Sequence, residues 1–162
     1  MTKVQDDRNL YGFQTEVRVR LSETDAVGIV FFGSFASYFD VGRMDYLAHL
    51  GLQKYGGVVR DLIPGAVVHQ SVSFANPARY NDELLIHVRI ADLGRTSYTF
   101  HFLVTHKRNR TLIAKGSLTL VWLDDSFCPV AIPDTFRESV AEFEGDGLRG
   151  GAGADPEAQS PG

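Results

Sequence analysis

The sequence has very little cysteine, which limits both its cross-linking and its chemistry. Cys128 is the single cysteine among 162 residues, so no disulfide can form within the chain. Its surroundings lack the cysteine and histidine spacing of a zinc site and the adjacent base of a nucleophilic thiol. We therefore interpret Cys128 as an unreactive thiol.

Long basic runs and long apolar runs are also missing. The formal net charge is -4, and no run of lysine and arginine is longer than the pair at 107–108, so the chain lacks the electrostatic pattern of a nucleic-acid or anionic-membrane binder. No apolar run reaches the roughly 18 residues of a membrane span, and the N-terminal MTKVQDDRNL lacks the apolar core of a secretion signal. We expect no nucleic-acid or membrane partner and a cytoplasmic location.

The apolar residues that are present suffice for one hydrophobic core. Hydrophobic residues make up 44% and aromatic residues 11% of the chain, which suits a single globular domain. Residues 15–21 alternate, with Val17, Val19 and Leu21 on one face, and this period predicts a half-buried strand. Apolar residues then recur at three and four positions and predict a long buried helix over 34–50.

The second half of the chain reads as an antiparallel sheet. Runs rich in β-branched and aromatic residues predict strands at 66–75, 83–92, 96–106 and 111–123. Short polar connections between these strands indicate antiparallel neighbours. A terminal helix is predicted at 133–143.

These elements define one domain and two flanking segments. We assign 1–14 as an N-terminal extension, 15–144 as the folded domain, and 145–162 as a disordered tail rich in glycine and proline. A long apolar helix is covered most simply by a curved antiparallel sheet wrapped around it, an α+β architecture. The edges of such a small sheet make pairing with a second copy the expected arrangement.

Acidic residues beside aromatic ones mark the loop SETDAVGIVFF at 22–32. Asp25 is either a turn or helix-capping aspartate, or a working carboxylate next to an apolar cavity. Glu23 is interpreted as solvated or structural. Further along, Asp40 and Arg43 are three residues apart and could form an ion pair within the helix. The five histidines show no metal-ligand spacing and are interpreted as structural or exposed.

Four motifs occur in an order that resembles a known family. The segments ETDAVGIVFFGSF at 23–35 and FDVGR at 39–43 resemble the signature of the 4-hydroxybenzoyl-CoA thioesterase family of hot-dog-fold proteins. FANPARYND at 74–82 and GRTSY at 94–98 resemble two later turns of that family. The resemblance spans about residues 15–140 and implies a hot-dog fold.

The resemblance also implies a site. Asp25 matches the catalytic carboxylate, and the backbone N–H of Phe32 matches the donor to the oxyanion of a thioester that crosses a dimer interface. Asp40 matches a residue that reaches the acyl pocket, which slightly favours a hydroxylated aromatic acyl group. The predicted contacts to the pantetheine and phosphates of CoA are Arg95, Thr96 and Ser97. No metal or other cofactor is implied.

The predicted function is hydrolysis of an acyl-CoA thioester by a homodimer or a dimer-of-dimers homotetramer. The aromatic acyl group is a refinement of this prediction. Two alternatives stay open: release of a polyketide or fatty acyl chain from an acyl carrier protein, and a non-catalytic module that binds acyl-CoA.

Overall fold

Within the residues that the structure describes, a five-stranded antiparallel sheet packs against one long helix. The computed structural model describes residues 3–52 and 65–150. The strand order is β1-β3-β4-β5-β2. The elements in chain order are β1 (Phe13–Arg18), α1 (Ser34–His49), β2 (Ala66–Phe74), β3 (Glu83–Leu93), β4 (Ser97–His106), β5 (Leu112–Val121) and α2 (Asp134–Glu144).

The predicted α+β architecture and element order are confirmed, and the first strand is shifted. The prediction placed it at 15–21, with Leu21 on the buried face, whereas β1 ends at Arg18. The chain turns there because the N–H of Val19 donates to the Asp82 carbonyl and the Val19 carbonyl accepts the N–H of Asn81. Leu21 then starts a short 3-10 turn and is 70% exposed.

Small residues allow α1 to lie close against the sheet. A Cβ at Gly42 would lie 2.9 Å from Ile86 and 3.0 Å from Val88, so only glycine leaves room for β3 at this point. One turn earlier, the ring of Phe39 stacks on Phe102 of β4 with 4.3 Å between ring centroids. These contacts fix the middle of α1 against the sheet and thereby the place at which its N-terminal end emerges.

The sheet has two ends that carry different loops. At one end β3 begins and β4 finishes, and the loop after β1 is attached here through the Val19–Asp82 hydrogen bond and through Val30 N–H to the Ala78 carbonyl. At the other end the turn between β3 and β4 packs against the chain after β5. The two ends therefore present different sets of predicted site residues.

The C-terminal segment continues past α2 along the sheet. Residues 145–147 form a 3-10 turn, and Arg149 exchanges backbone hydrogen bonds with Ala91 and Leu93. The sequence predicted disorder from residue 145 onwards, whereas residues 145–150 contain this 3-10 turn and the pairing of Arg149 with β3. The rest of the predicted tail, at 151–162, and the irregular segment ending at Pro64 lie outside the described residues. In the described part of the chain, no helix is long and apolar enough to cross a membrane.

Candidate active site

A tight loop carries Asp25. Thr24 and Val30 form an isolated antiparallel bridge, and the N–H of Asp25 donates to the Ile29 carbonyl at 2.9 Å. The loop closes through the N–H of Gly28, which donates to the Asp25 carbonyl at 3.0 Å. Gly28 has φ +85, a left-handed conformation that glycine adopts without steric cost. The sequence AVG after Asp25 is thus suited to a three-residue hairpin connection.

The Asp25 carboxylate supports this loop with one of its oxygens. Oδ1 accepts the N–H of Val27 at 2.9 Å and that of Ile29 at 3.4 Å. Within residues 3–52 and 65–150, no hydrogen bond to Oδ2 is found, and the residue is half-buried. The turn-capping interpretation of Asp25 therefore describes its local structure, while the second oxygen can still act on a substrate or a water molecule.

The same loop architecture occurs a second time at Asp124. Its Oδ1 accepts the N–H groups of Ser126 and Cys128, and its backbone N–H donates to the Cys128 carbonyl. Phe127 takes the left-handed position that Gly28 has in the first loop, with φ +60. Asp124 follows β5 and does not precede α1. It therefore shows the turn-closing role of such an aspartate without a neighbouring helix N-terminus.

Two backbone amides at the start of α1 are available to a ligand. Among the described residues, neither the N–H of Phe32 nor that of Gly33 has a hydrogen-bond partner. The carbonyls of Phe31 and Phe32 accept the N–H groups of Ser34 and Phe35 and so point into the helix. Because N–H and C=O point in opposite directions in a trans peptide, both free amides point out of the helix N-terminus. Free amides at a helix start are suited to an oxyanion.

Glu23 joins these two parts of the loop and was not among the predicted site residues. Its carbonyl accepts the N–H of Phe31 and the hydroxyl of Ser34. Its carboxylate, 14% exposed, accepts the phenol of Tyr38 at 2.8 Å. The structural interpretation of Glu23 describes this better than the solvated one. The sequence contains no local signal for Tyr38, because the pair is separated by 15 positions.

Asp40 and Arg43 form the ion pair that the helix spacing allowed. Asp40 Oδ1 accepts from Arg43 Nε at 2.7 Å and lies 2.6 Å from its Nη2. The Arg43 side chain is 8% exposed and that of Asp40 58% exposed. Arg43 therefore holds the Asp40 carboxylate through Oδ1, on a side chain that is exposed on α1.

Arg95, Thr96 and Ser97 lie at the opposite end of the sheet from Asp25. Leu84 pairs with His106 at the Asp25 end, and Leu93 pairs with Tyr98 nine residues further along β3 (84 to 93). At about 3.3 Å per residue the two ends are roughly 30 Å apart. The turn is held there by the Trp122 and Ile132 amides, which donate to the Thr96 and Arg95 carbonyls. A single chain thus does not bring the predicted CoA contacts to Asp25.

Exposed aromatic residues surround the Asp25 end. The ring centroids of Phe31 and Phe32 lie 4.4 Å apart, and the two residues are 44% and 69% exposed. Phe74, at the end of β2, is 55% exposed and packs edge-on against Phe35. These rings provide an apolar surface next to the free amides. In the described part of the chain, no group of three or more His, Cys, Asp or Glu side chains could hold a metal ion.

Comparison with known proteins identifies relatives of this fold. The sequence profile of the thioesterase superfamily matches residues 27–113, more than half of the chain. The match begins two residues after Asp25 and includes the positions of Phe32, Asp40 and Arg95.

Individual relatives match most of the chain. The acyl-CoA thioester hydrolase YbgC of Escherichia coli is 28% identical over 133 residues, which are 82% of this chain and 96% of that protein. The acyl-acyl carrier protein thioesterase ATL3 of Arabidopsis thaliana is 27% identical over 130 residues, 80% of this chain and 68% of that protein. Among solved structures, BH1999 gentisyl-coenzyme A thioesterase superposes with a TM-score of 0.69 at 26% identity, covering 80% of this chain and 99% of that one.

Proposed function

The chain belongs to the thioesterase superfamily and is a thioester hydrolase of the hot-dog fold, and we propose that it hydrolyses an acyl-CoA at Asp25 and the Phe32 amide. The observation that carries this proposal is the loop that joins a carboxylate to outward-pointing amides. Asp25 pairs with Ile29, and two residues away along the same bridge Glu23 pairs with Phe31. These two residue pairs are roughly 7 Å apart at about 3.3 Å per residue. A thioester group can span this distance between the Asp25 carboxylate and the amide that follows Phe31.

The proposed reaction uses each group once. Asp25 either attacks the thioester carbonyl carbon or removes a proton from an attacking water. The carbonyl oxygen becomes negative and accepts from the Phe32 N–H, whose position at the start of α1 adds the positive end of the helix dipole. The C–S bond then breaks and the thiolate of CoA leaves. On the general-base route it takes up the proton that Asp25 removed from water, and the acid is released directly. On the nucleophilic route the remaining acyl–Asp25 anhydride is hydrolysed by water, which releases the acid, restores the carboxylate and supplies the proton for the thiolate.

Asp25→Asn tests this assignment, and the chain supplies a matched control. Free-thiol release from benzoyl-, hydroxybenzoyl-, short- and medium-chain acyl-CoAs is measured for wild type, Asp25→Asn and Asp124→Asn. Because Asp124 closes the same kind of turn, Asp124→Asn controls for the change of a turn-supporting carboxylate to an amide. We expect turnover to fall by about 10²–10⁴-fold in Asp25→Asn and to stay at the wild-type level in Asp124→Asn. Equal rates in all three proteins would refute the catalytic assignment.

We propose a hydroxylated aromatic acid as the acyl group. The support is Asp40, whose carboxylate is 58% exposed and bound by Arg43 through Oδ1, so that an acyl hydroxyl can donate a hydrogen bond to it. A relative of known structure is a gentisyl-coenzyme A thioesterase. In the same panel, hydroxybenzoyl-CoA should then exceed benzoyl-CoA in kcat/KM, and Asp40→Asn should reduce this preference. A preference for medium-chain esters would refute the aromatic assignment.

An acyl carrier protein is the second candidate carrier. One relative is an acyl-acyl carrier protein thioesterase, and the turn that bears Arg95 has few basic residues. The comparison is between the pantetheine thioester and the CoA thioester of one acid. A large advantage of CoA supports the acyl-CoA proposal, whereas equal rates favour the carrier protein.

We further propose that two copies build each site. Among the described residues β2 is an edge strand, and its Val67, Val68 and Phe74 are 48%, 61% and 55% exposed. Such an edge is a template for another strand. Ala66, at the start of β2, pairs with Val121 at the Arg95 end, and Phe74 lies at the Asp25 end. Antiparallel pairing of β2 with its copy therefore brings the partner copy's Arg95 end to the Asp25 end of the first.

Subunit mixing tests this shared site. Asp25→Asn and Arg95→Ala are each purified and then combined under conditions that exchange subunits. If the site is shared, a mixed dimer contains one site with both residues intact, so mixing restores activity relative to either variant alone. Activity equal to the average of the two separate variants would show that the site is built within one chain, or without Arg95.

A further inference from the structure

Glu23 holds together the two sides of the proposed site. Its carbonyl accepts the Phe31 N–H at 2.8 Å and the Ser34 hydroxyl at 3.1 Å. The carboxylate accepts from Tyr38 and, through the same Oε2, from the backbone N–H of Arg20 at 2.8 Å. Glu23 thus contacts the chain before the Asp25 loop, the residue before Phe32 and the first turns of α1.

These contacts determine the direction of the Phe32 amide. The Phe31 carbonyl and the Phe32 N–H belong to one planar peptide unit. On one side of that unit the Phe31 N–H is bound by Glu23, and on the other the Phe31 carbonyl accepts the Ser34 N–H at 2.9 Å. The Phe32 N–H can turn away only if one of these bonds is broken.

Tyr38 connects this arrangement to the body of the helix. Tyr38 lies in the second turn of α1, is 2% exposed, and packs edge-on against Phe35 at 5.6 Å. Burial and the bond to Glu23 raise the pKa of the Tyr38 phenol, so it keeps its proton and donates. A hydrogen bond from a buried phenol to a carboxylate is charge-assisted and strong.

We propose that Glu23 and Tyr38 are positioning residues that hold the Phe32 amide in the direction required for oxyanion binding. This inference rests on the proposed function, because it assigns a purpose to the orientation of that amide. Neither side chain is required to touch the thioester. Their effect is on the transition state, in which the oxygen carries its charge, and much less on the bound ground state.

Tyr38→Phe removes the hydroxyl and retains the ring, so it tests the link with little change in packing. We expect kcat to fall about 10-fold, less than the 10²–10³-fold of a lost oxyanion donor, with KM within about twofold of wild type. Tyr11→Phe is the matched control: it removes a phenol that donates to the Gln5 carbonyl at 3.0 Å, on a side chain that packs against His87. Its kcat should equal that of wild type.

The Glu23 variants separate a positioning role from a structural one. Glu23→Gln retains an oxygen that can accept from Tyr38, so it should keep most of the kcat that Glu23→Ala loses. Binding of a non-hydrolysable acyl-CoA thioether should be unchanged in Tyr38→Phe and Glu23→Gln. Weaker thioether binding in parallel with the lost kcat would show a general loss of site structure and overturn the inference.

Asp25→Asn, assayed in parallel, distinguishes this inference from the proposed function. If Asp25→Asn is inactive while Tyr38→Phe and Glu23→Ala retain the wild-type kcat, the site is correct and the positioning role is refuted. If Asp25→Asn retains full activity, the proposed site is wrong, and the inference fails with it. An inactive Asp25→Asn with a selective loss of kcat in Tyr38→Phe supports both.

Discussion

Protonation of His87 should make this protein unstable in mild acid. His87 lies in β3 on the face of the sheet opposite α1, because its neighbours Ile86 and Val88 face the helix. It is 4% exposed, and its Nε2 lies 3.0 Å from the Thr105 hydroxyl. Burial, and to a smaller extent the charges of Arg8 and Arg110, lower the pKa of His87 from 6.5 to about 4.

The size of the effect follows from the two pKa values. The unfolded chain binds a proton at His87 near pH 6.5 and the folded protein only near pH 4, so stability falls as the pH decreases through this window. One pKa unit corresponds to about 1.4 kcal/mol. His87 should therefore lower the free energy of unfolding by about 3 kcal/mol between pH 7 and pH 4, and roughly half of that should be lost by pH 5.5.

Urea unfolding of wild type and His87→Gln at pH 7, 5.5 and 4 measures this contribution. Glutamine retains an amide that can reach Thr105 and cannot be protonated. All other titrating groups, including His101, whose pKa is also lowered by burial, are common to both proteins and cancel in the difference. The free energy of unfolding of wild type relative to the variant should fall by about 3 kcal/mol towards pH 4. A difference that does not change with pH would refute the assignment of a buried neutral imidazole.

Three further predictions concern stability. Gly116→Ala should destabilise the protein by about 1–3 kcal/mol or more in urea unfolding, because its Cβ would lie 2.3 Å from the Ser71 carbonyl and 2.6 Å from the Phe39 ring; an unchanged midpoint would contradict the close packing of α1. Phe127→Gly should raise Tm by a few degrees, since φ +60 costs a side chain about 1 kcal/mol and the 82% exposed ring packs little. Burial raises the pKa of Glu144, so its favourable contribution is complete below pH 4.5 and is lost at higher pH. The stability of wild type relative to Glu144→Gln should thus fall from pH 4 to pH 8. A rise would show that Arg89, whose Nε lies 3.8 Å from Glu144 Oε2, stabilises the carboxylate.

Local patterns predicted the secondary structure because they reflect local causes. The three-and-four spacing of apolar residues identified α1 to within one residue, since burying one helical face requires that period. The alternation of apolar and polar residues predicted a strand at 15–21, but this prediction was wrong at the C-terminal end of the strand. Val19 is buried as expected, but Leu21 is exposed because hydrogen bonds from the distant turn at 81–82 end the strand at Arg18.

The sequence suggested only some residues of the candidate site. Some of these residues are neighbours in the chain, whereas others meet only through the packing of distant segments. The loop from Asp25 to Phe32 is one continuous segment, and its resemblance to a family motif made Asp25 and the Phe32 amide candidates. The bond between Tyr38 and Glu23 depends on how α1 meets that loop, which no short pattern encodes. The pairing of the chain after residue 145 with β3 likewise arises from contacts with a strand more than 50 positions earlier.

The sequence by itself determined the elements, their order and the chemical types available for thioester hydrolysis, because hydrophobic period and turn residues act over a few positions. Only the tertiary structure decided which of these groups share a location. It placed Asp25 beside the amides of α1 and put Arg95 roughly 30 Å away at the other end of the sheet. The physical reason is that a strand's length and the register of its neighbours, rather than separation along the chain, set the distance between two loops of an antiparallel sheet.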